Sequence, residues 1–135
     1  MRYKPRHKRI IDAVKAANPR VIVIMHSDGV VAPLIDDFIE IGVDVYNPVQ
    51  PNVPGSDPAE LTAKYGRRIS FFGGIDQQSL LPSGDRDALS AEIKRRAAIM
   101  GAKGGSLMAP AHIIQADVSM ETVEHMIREV REIRY

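Results

Sequence analysis

Apolar residues recur at helical spacing from about Pro5 to Ala17, with Ile10, Ile11, Val14 and Ala17 on one side and Lys8, Asp12 and Lys15 on others. The pattern predicts a helix stopped by Asn18-Pro19, because the residue before a proline is pushed out of helical backbone. From Val21 to His26 the period is lost in a short, β-branched apolar run, the signature of a parallel strand covered on both faces. The next helix starts near Pro33, carries Leu34, Ile35, Phe38 and Ile41 inward and ends at Gly42, the residue type that tolerates left-handed backbone after a helix. Val43 to Val49 is a second strand. Asp57-Pro58-Ala59-Glu60 then has the marks of a helix start: a capping side chain, proline in the first turn and glutamate three residues after the cap.

That helix is expected to end at Tyr65-Gly66, before a third strand over Arg68 to Ile75. A longer connection through Gln77 to Asp85 leads to a helix with Leu89, Ile93, Ala97 and Met100 on one side, closed by Gly101. Gly105 to Ala111 is the fourth strand. Ser119 caps a last helix whose Val123, Met126, Ile127, Val130 and Ile133 face the core. One helix followed by four strand-helix units implies parallel strands joined by right-handed crossovers, within a single domain over 1–135. Such a chain is either a small open sheet or four of the eight units of a (β/α)8 barrel. No phosphate-gripping glycine pattern follows any strand, which weighs against a nucleotide-binding open sheet.

Composition narrows the chemistry. The 135 residues are 44% apolar and 26% charged, which suits one globular core without staples. With no cysteine, disulfides, thiolate metal sites and cysteine nucleophiles are excluded. The 18 basic and 17 acidic residues nearly cancel. The basic cluster Arg2, Lys4, Arg6, His7, Lys8 and Arg9 lacks interleaved aromatics, so it reads as a solvated helix start and no nucleic-acid partner is expected. Apolar runs such as Val21 to Met25 fall far short of the ~18 residues of a membrane span, and the expected compartment is the cytoplasm.

In parallel α/β proteins chemistry gathers at the carboxyl ends of strands. Here those ends are polar: His26-Ser27-Asp28-Gly29, Asn47-Pro48-Val49-Gln50, Gly73-Gly74-Ile75-Asp76 with Gln77 and Gln78, and Pro110-Ala111-His112 followed by Gln115 and Asp117. His26 and Asp28 are two residues apart, so on extended backbone both project from one face, a spacing suited to two ligands of one metal, with His112 as a third. The competing reading has Asp28 capping the turn and His26 bonded to backbone. On a flat sheet the first and fourth strands are ~14 Å apart at ~4.8 Å per strand, too far to close the triad unless the sheet curves. Gly73 and Gly74 admit either close ligand approach or tight packing. Asp76 is suited to binding a substrate group or to capping the loop. Asn47, Gln50 and Gln115 are neutral groups able to orient a substrate. His7 and His125 are expected to be solvated on their helices.

Taken in order, HSDG, IGVDVYNPVQ, DPAELTAKYGRRISFFGGIDQQSLLPSG and GGSLMAPAHIIQADVSMETV resemble the C-terminal half of the uroporphyrinogen decarboxylase superfamily, over essentially the whole chain. The resemblance implies half of a (β/α)8 TIM barrel, four parallel βα units preceded by one helix. It implies either the decarboxylase of haem biosynthesis, which needs no cofactor, or a corrinoid-dependent methyltransferase. His112 stands at the place of the decarboxylase's active-site histidine, with Asp76 in a loosely similar turn. In the methyltransferases the first strand ends in His-x-Cys and the last in Pro-Gly-Cys. His26 matches the histidine, while Asp28 and His112 replace the thiolates, a set suited to zinc or another divalent metal. The histidine-first strand end and NPVQ favour the methyltransferase-like branch, with a small-molecule methyl donor or acceptor and a corrinoid protein as partners. The decarboxylase's arginines and central aspartate belong to the N-terminal half, so this chain holds part of a site. The alternatives are a complementary N-terminal half or a catalytically incomplete homodimer of half-barrels.

Overall fold

The computed structural model describes residues 2–134. Its sheet contains β1 (Ile24–His26), β2 (Val45–Val49), β3 (Ser70–Ile75) and β4 (Ser106–Pro110), all parallel and in chain order. The helices are α1 (Lys4–Ala17), α2 (Ile35–Ile41), α3 (Pro58–Tyr65), α4 (Leu80–Ser83), α5 (Arg86–Met100) and α6 (Met120–Glu132), with one 3-10 turn over Ala32–Leu34 leading into α2. This is the expected half-barrel order. The strands are shorter than expected at their starts, and the four-residue α4 lies inside what reads as a loop.

Local chemistry sets the boundaries. Asp57 accepts hydrogen bonds from the Ala59 and Glu60 amides, and Ser119 accepts one from Thr122. Gly42 adopts φ +93° and closes α2 as anticipated, whereas Gly101 ends α5 with right-handed backbone. Lys4 pairs with Asp37 at 2.6 Å and with Glu40, tying α1 to α2, and Lys8 pairs with Asp12 within α1 at 2.9 Å. Asp44 bridges α1 to the sheet, taking Lys15 Nζ and the Val23 amide, each at 2.8 Å.

Two clusters fill the space between sheet and helices. The larger gathers Ile35, Phe38, Ile41, Tyr46, Val49, Tyr65 and Phe71, and the smaller gathers Ile75, Leu81, Leu89, Ile93 and Met126. The opposite face of the sheet is uncovered. Met25 and Met108 pack into the clusters, so their strand neighbours Ile24 and Leu107 project the other way and are 50% and 47% exposed. Coverage of the first strand on both faces is therefore overturned, because the bare face has no layer opposite it. Leu34 and Ile127, expected inside, are also exposed. His125 is not merely solvated: Nε2 lies 2.8 Å from Ser90 Oγ and 3.2 Å from the Arg86 carbonyl, joining α6 to α5.

Gly73 and Gly74, expected to admit either close ligand approach or tight packing, are both buried in the sheet. Gly73 has φ +110°, and a Cβ there would lie 3.2 Å from the Val49 nitrogen, 3.4 Å from Pro48 Cβ and 3.5 Å from Ala111 Cα. Behind Gly74 sits the buried Arg96, whose Nε donates to Glu92 at 2.5 Å. Gly73 lets β3 close up on the ends of β2 and β4, and Gly74 lets the Arg96 side chain of α5 approach the sheet.

Candidate functional site

The ends of β1 and β4 converge far more than a flat sheet allows. The His26 and His112 rings are 6.4 Å apart at 65°, and one potential ligand atom from each of His26, Asp28 and His112 lies within 4.8 Å of the others. The contrast with ~14 Å for three flat strand spacings has two physical sources. A twisted parallel sheet curls toward its concave side, and His112 lies two residues beyond Pro110, free to lean inward.

His26 and Asn47 are register partners on neighbouring strands, and the Ser27 amide donates to the Asn47 carbonyl at 2.9 Å. This pairing sets His26 Nδ1 2.7 Å from Asn47 Oδ1, while Nε2 lies 3.3 Å from Asp28 Oδ2. The Asn47 hydrogen bond raises the His26 pKa most, desolvation opposes it, and Asp28 adds to the rise. The backbone-bonded alternative for His26 gives way to two side-chain partners. Nearby, burial pushes the Tyr46 phenol up to about 12 with a further contribution from the Asp28 charge, which keeps it neutral.

The donor set fits a divalent cation. Nitrogen and oxygen ligands about 2.0–2.1 Å from zinc lie about 3.3 Å apart at tetrahedral edges, which is the His26–Asp28 spacing. The widest separation, up to 4.8 Å, closes by rotation of exposed side chains. Three ligands leave a fourth position for water or substrate, the arrangement of reactive rather than structural zinc sites. Two imidazoles and a carboxylate also accept harder metals than two thiolates and an imidazole would.

Beside the cluster lies an open cavity of about 580 Å³. Asp28, Gln50, Gln77 and Gln78 line one part, and His112, Ile113, Gln115 and Asp117 line the rest. Gln50 Oε1 accepts from the Gly29 amide at 2.6 Å, and Gln115 Nε2 donates to the Ile113 carbonyl at 3.1 Å. Gln77 and Gln78 stand in the polar end of β3, but the sequence assigned them no role. Their signal was a pair of amides directly after a strand end, but which of them turns inward depends on the loop. Neither Gly73 nor Gly74 lines this cavity.

Asp76 does not line it either. Its carboxylate accepts from the Gln78 amide at 2.7 Å, the Ser79 amide at 3.2 Å, Ser79 Oγ at 2.6 Å and Asn52 Nδ2 at 2.9 Å. Burial alone would raise its pKa, but these bonds outweigh it and hold the carboxyl below its ordinary range. Of the two expected roles, the structure gives Asp76 the loop cap. A carboxylate with its acceptor sites filled in this way is taken up by the loop after β3.

No curated protein matches the sequence significantly. Among solved structures, a methyltransferase from Methanosarcina mazei is similar, with a TM-score of 0.73 and 19% identity over 96% of this chain. The chain spans 35% of the length of that protein. No described helix is long and apolar enough to cross a membrane. Residues 2–133 match the uroporphyrinogen decarboxylase (URO-D) family, which agrees with the ordered strand-end motifs and the half-barrel, and the chain belongs to that family.

Proposed function

We propose that this chain forms one wall of the active site of a methyltransferase-like, corrinoid-linked enzyme, with His26, Asp28 and His112 holding a divalent metal. The observation that carries the reading is the approach of these three side chains from opposite ends of the sheet to within 4.8 Å. When bound, the metal supplies a positive charge that lowers the pKa of an acceptor thiol or polarises an acceptor oxygen. In the thiol case the proton leaves to solvent and a sulfur–carbon bond forms to the methyl group. The old bond to methyl breaks with its electron pair retained by the corrinoid donor. Gln50, Gln77, Gln78 and Gln115 orient neutral groups of the reactants through amide donors and acceptors, and the open mouth admits a small molecule.

The histidine-first end of β1 and the NPVQ segment favour this reading over porphyrinogen decarboxylation. Four glutamines and two aspartates line the cavity without a lysine or arginine. The missing portion of the site belongs to a complementary N-terminal half-barrel or to a second copy. Equilibrium dialysis with zinc, followed by metal analysis, tests the assignment. One metal per chain is expected, with loss in His26→Ala; absence of stoichiometric metal in the wild type would remove it. Formation of coproporphyrinogen from uroporphyrinogen by the intact protein would instead establish the decarboxylase.

A further inference from the structure

We infer that Asn47 is a positioning residue that, when a cation is bound, fixes the proton of His26 on Nδ1 and so turns the Nε2 lone pair toward Asp28 and His112. The inference rests on the metal-site reading above and assigns Asn47 a task other than contacting substrate. Three observations converge on it. His26 and Asn47 are register partners on adjacent parallel strands, so period-two geometry puts both side chains on the bare concave face. Their backbones are locked by the Ser27 amide, which donates to the Asn47 carbonyl at 2.9 Å. The amide oxygen, which can only accept, lies 2.7 Å from Nδ1.

When a cation is bound, Nδ1 donates to Asn47 and Nε2 faces the cation beside Asp28 Oδ2, 3.3 Å away; without one, that carboxylate draws a proton to Nε2. The ring is therefore held from behind and open in front. In this role an outer partner selects the tautomer and restricts ring rotation, and its removal typically costs 10–100-fold in metal affinity. His26 gains most from such a partner because its side chain is 57% exposed and little packing restrains it.

The test compares wild type, Asn47→Leu and Asn47→Asp, with circular dichroism to verify folding. Nitrogen-15 spectra of the zinc-loaded protein read which His26 nitrogen carries the proton, assigned by its loss in His26→Gln. Zinc competition titrations read affinity. Expected are a protonated Nδ1 in wild type and in Asn47→Asp, mixed tautomers in Asn47→Leu, and zinc binding weakened about 10–100-fold in Asn47→Leu but retained in Asn47→Asp. A wild-type His26 protonated on Nε2, or an Asn47→Leu protein that binds zinc as tightly as wild type, overturns the role of Asn47 alone. A wild type that binds no divalent metal overturns both this role and the metal site. If Asn47→Leu does not fold, the wild-type and Asn47→Asp spectra still decide.

Discussion

Replacing Gly73 with alanine tests whether the glycine pair serves the sheet or a ligand. Gly73 holds φ +110°, and a Cβ would press on the Val49 nitrogen at 3.2 Å and approach Pro48 Cβ and Ala111 Cα. Forcing a side chain into such backbone costs about 1–3 kcal/mol, and overpacking at the strand junction adds about 1–3 kcal/mol. Gly104 separates the two contributions: it also has positive φ, +74°, but nothing lies within 4 Å of its Cβ position. Gly104→Ala should therefore cost only the backbone strain, about 1 kcal/mol, against about 3 kcal/mol for Gly73→Ala. For a domain this size the difference corresponds to about 7 °C in Tm. Pro48 adjoins Asn47 and Ala111 adjoins His112, so the displaced strands should also spread the His26, Asp28 and His112 side chains. Urea unfolding and thermal scans of both variants provide the assay. Equal stability of the two would refute the packing argument, and an unchanged Tm with lost ligand binding in Gly73→Ala would restore the ligand-approach role.

Other outcomes follow from different parts of the molecule. Arg96 is buried, with Nη1 unpartnered and Nε on Glu92, so Glu92→Gln should cost about 3 kcal/mol in urea unfolding, the low end for a buried cation deprived of its carboxylate; a cost below about 0.5 kcal/mol would contradict this. Burial alone would raise the Glu92 pKa, but hydrogen bonds from Arg95 and Arg96 outweigh it and hold it low. Its stability contribution is thus fully present above the ordinary carboxylate range and lost as pH falls through the lowered value. Glu92→Gln should flatten the acid limb of stability against pH, and an unchanged limb would exclude Glu92 as its source. Ile24 and Leu107 on the bare face, with the outer edges of β1 and β4 free of strand partners among the described residues, should drive association. Sedimentation velocity should show mass rising with concentration and the rise suppressed in Ile24→Lys/Leu107→Lys; a monomer at every concentration would contradict it.

Much of the architecture was legible because local and tertiary preferences agree. Asp57 and Ser119 start helices, and Gly42 ends one, where their side-chain or backbone chemistry dictates, and β-branched runs mark the strands. The short α4 was hidden because four residues containing Pro82 carry no helical period. Leu34 and Ile127 fit their apolar stripes yet face outward, since burial needs an opposing layer that a period cannot supply. At the site, the residue types of His26, Asp28 and His112 were readable but their convergence was not: strand spacing is local, whereas sheet curl and the lean of His112 are tertiary. Asp76 was ambiguous for the same reason, because its role depends on Asn52 reaching it from another loop.

X-ray absorption of the zinc-loaded protein tests the central claim most directly. The account predicts one zinc per chain with nitrogen and oxygen neighbours at about 2.0–2.1 Å and the outer-shell scattering of two imidazoles, reduced to one imidazole in His112→Ala. Zinc that binds without imidazole scattering, or a spectrum indifferent to His112→Ala, would contradict it.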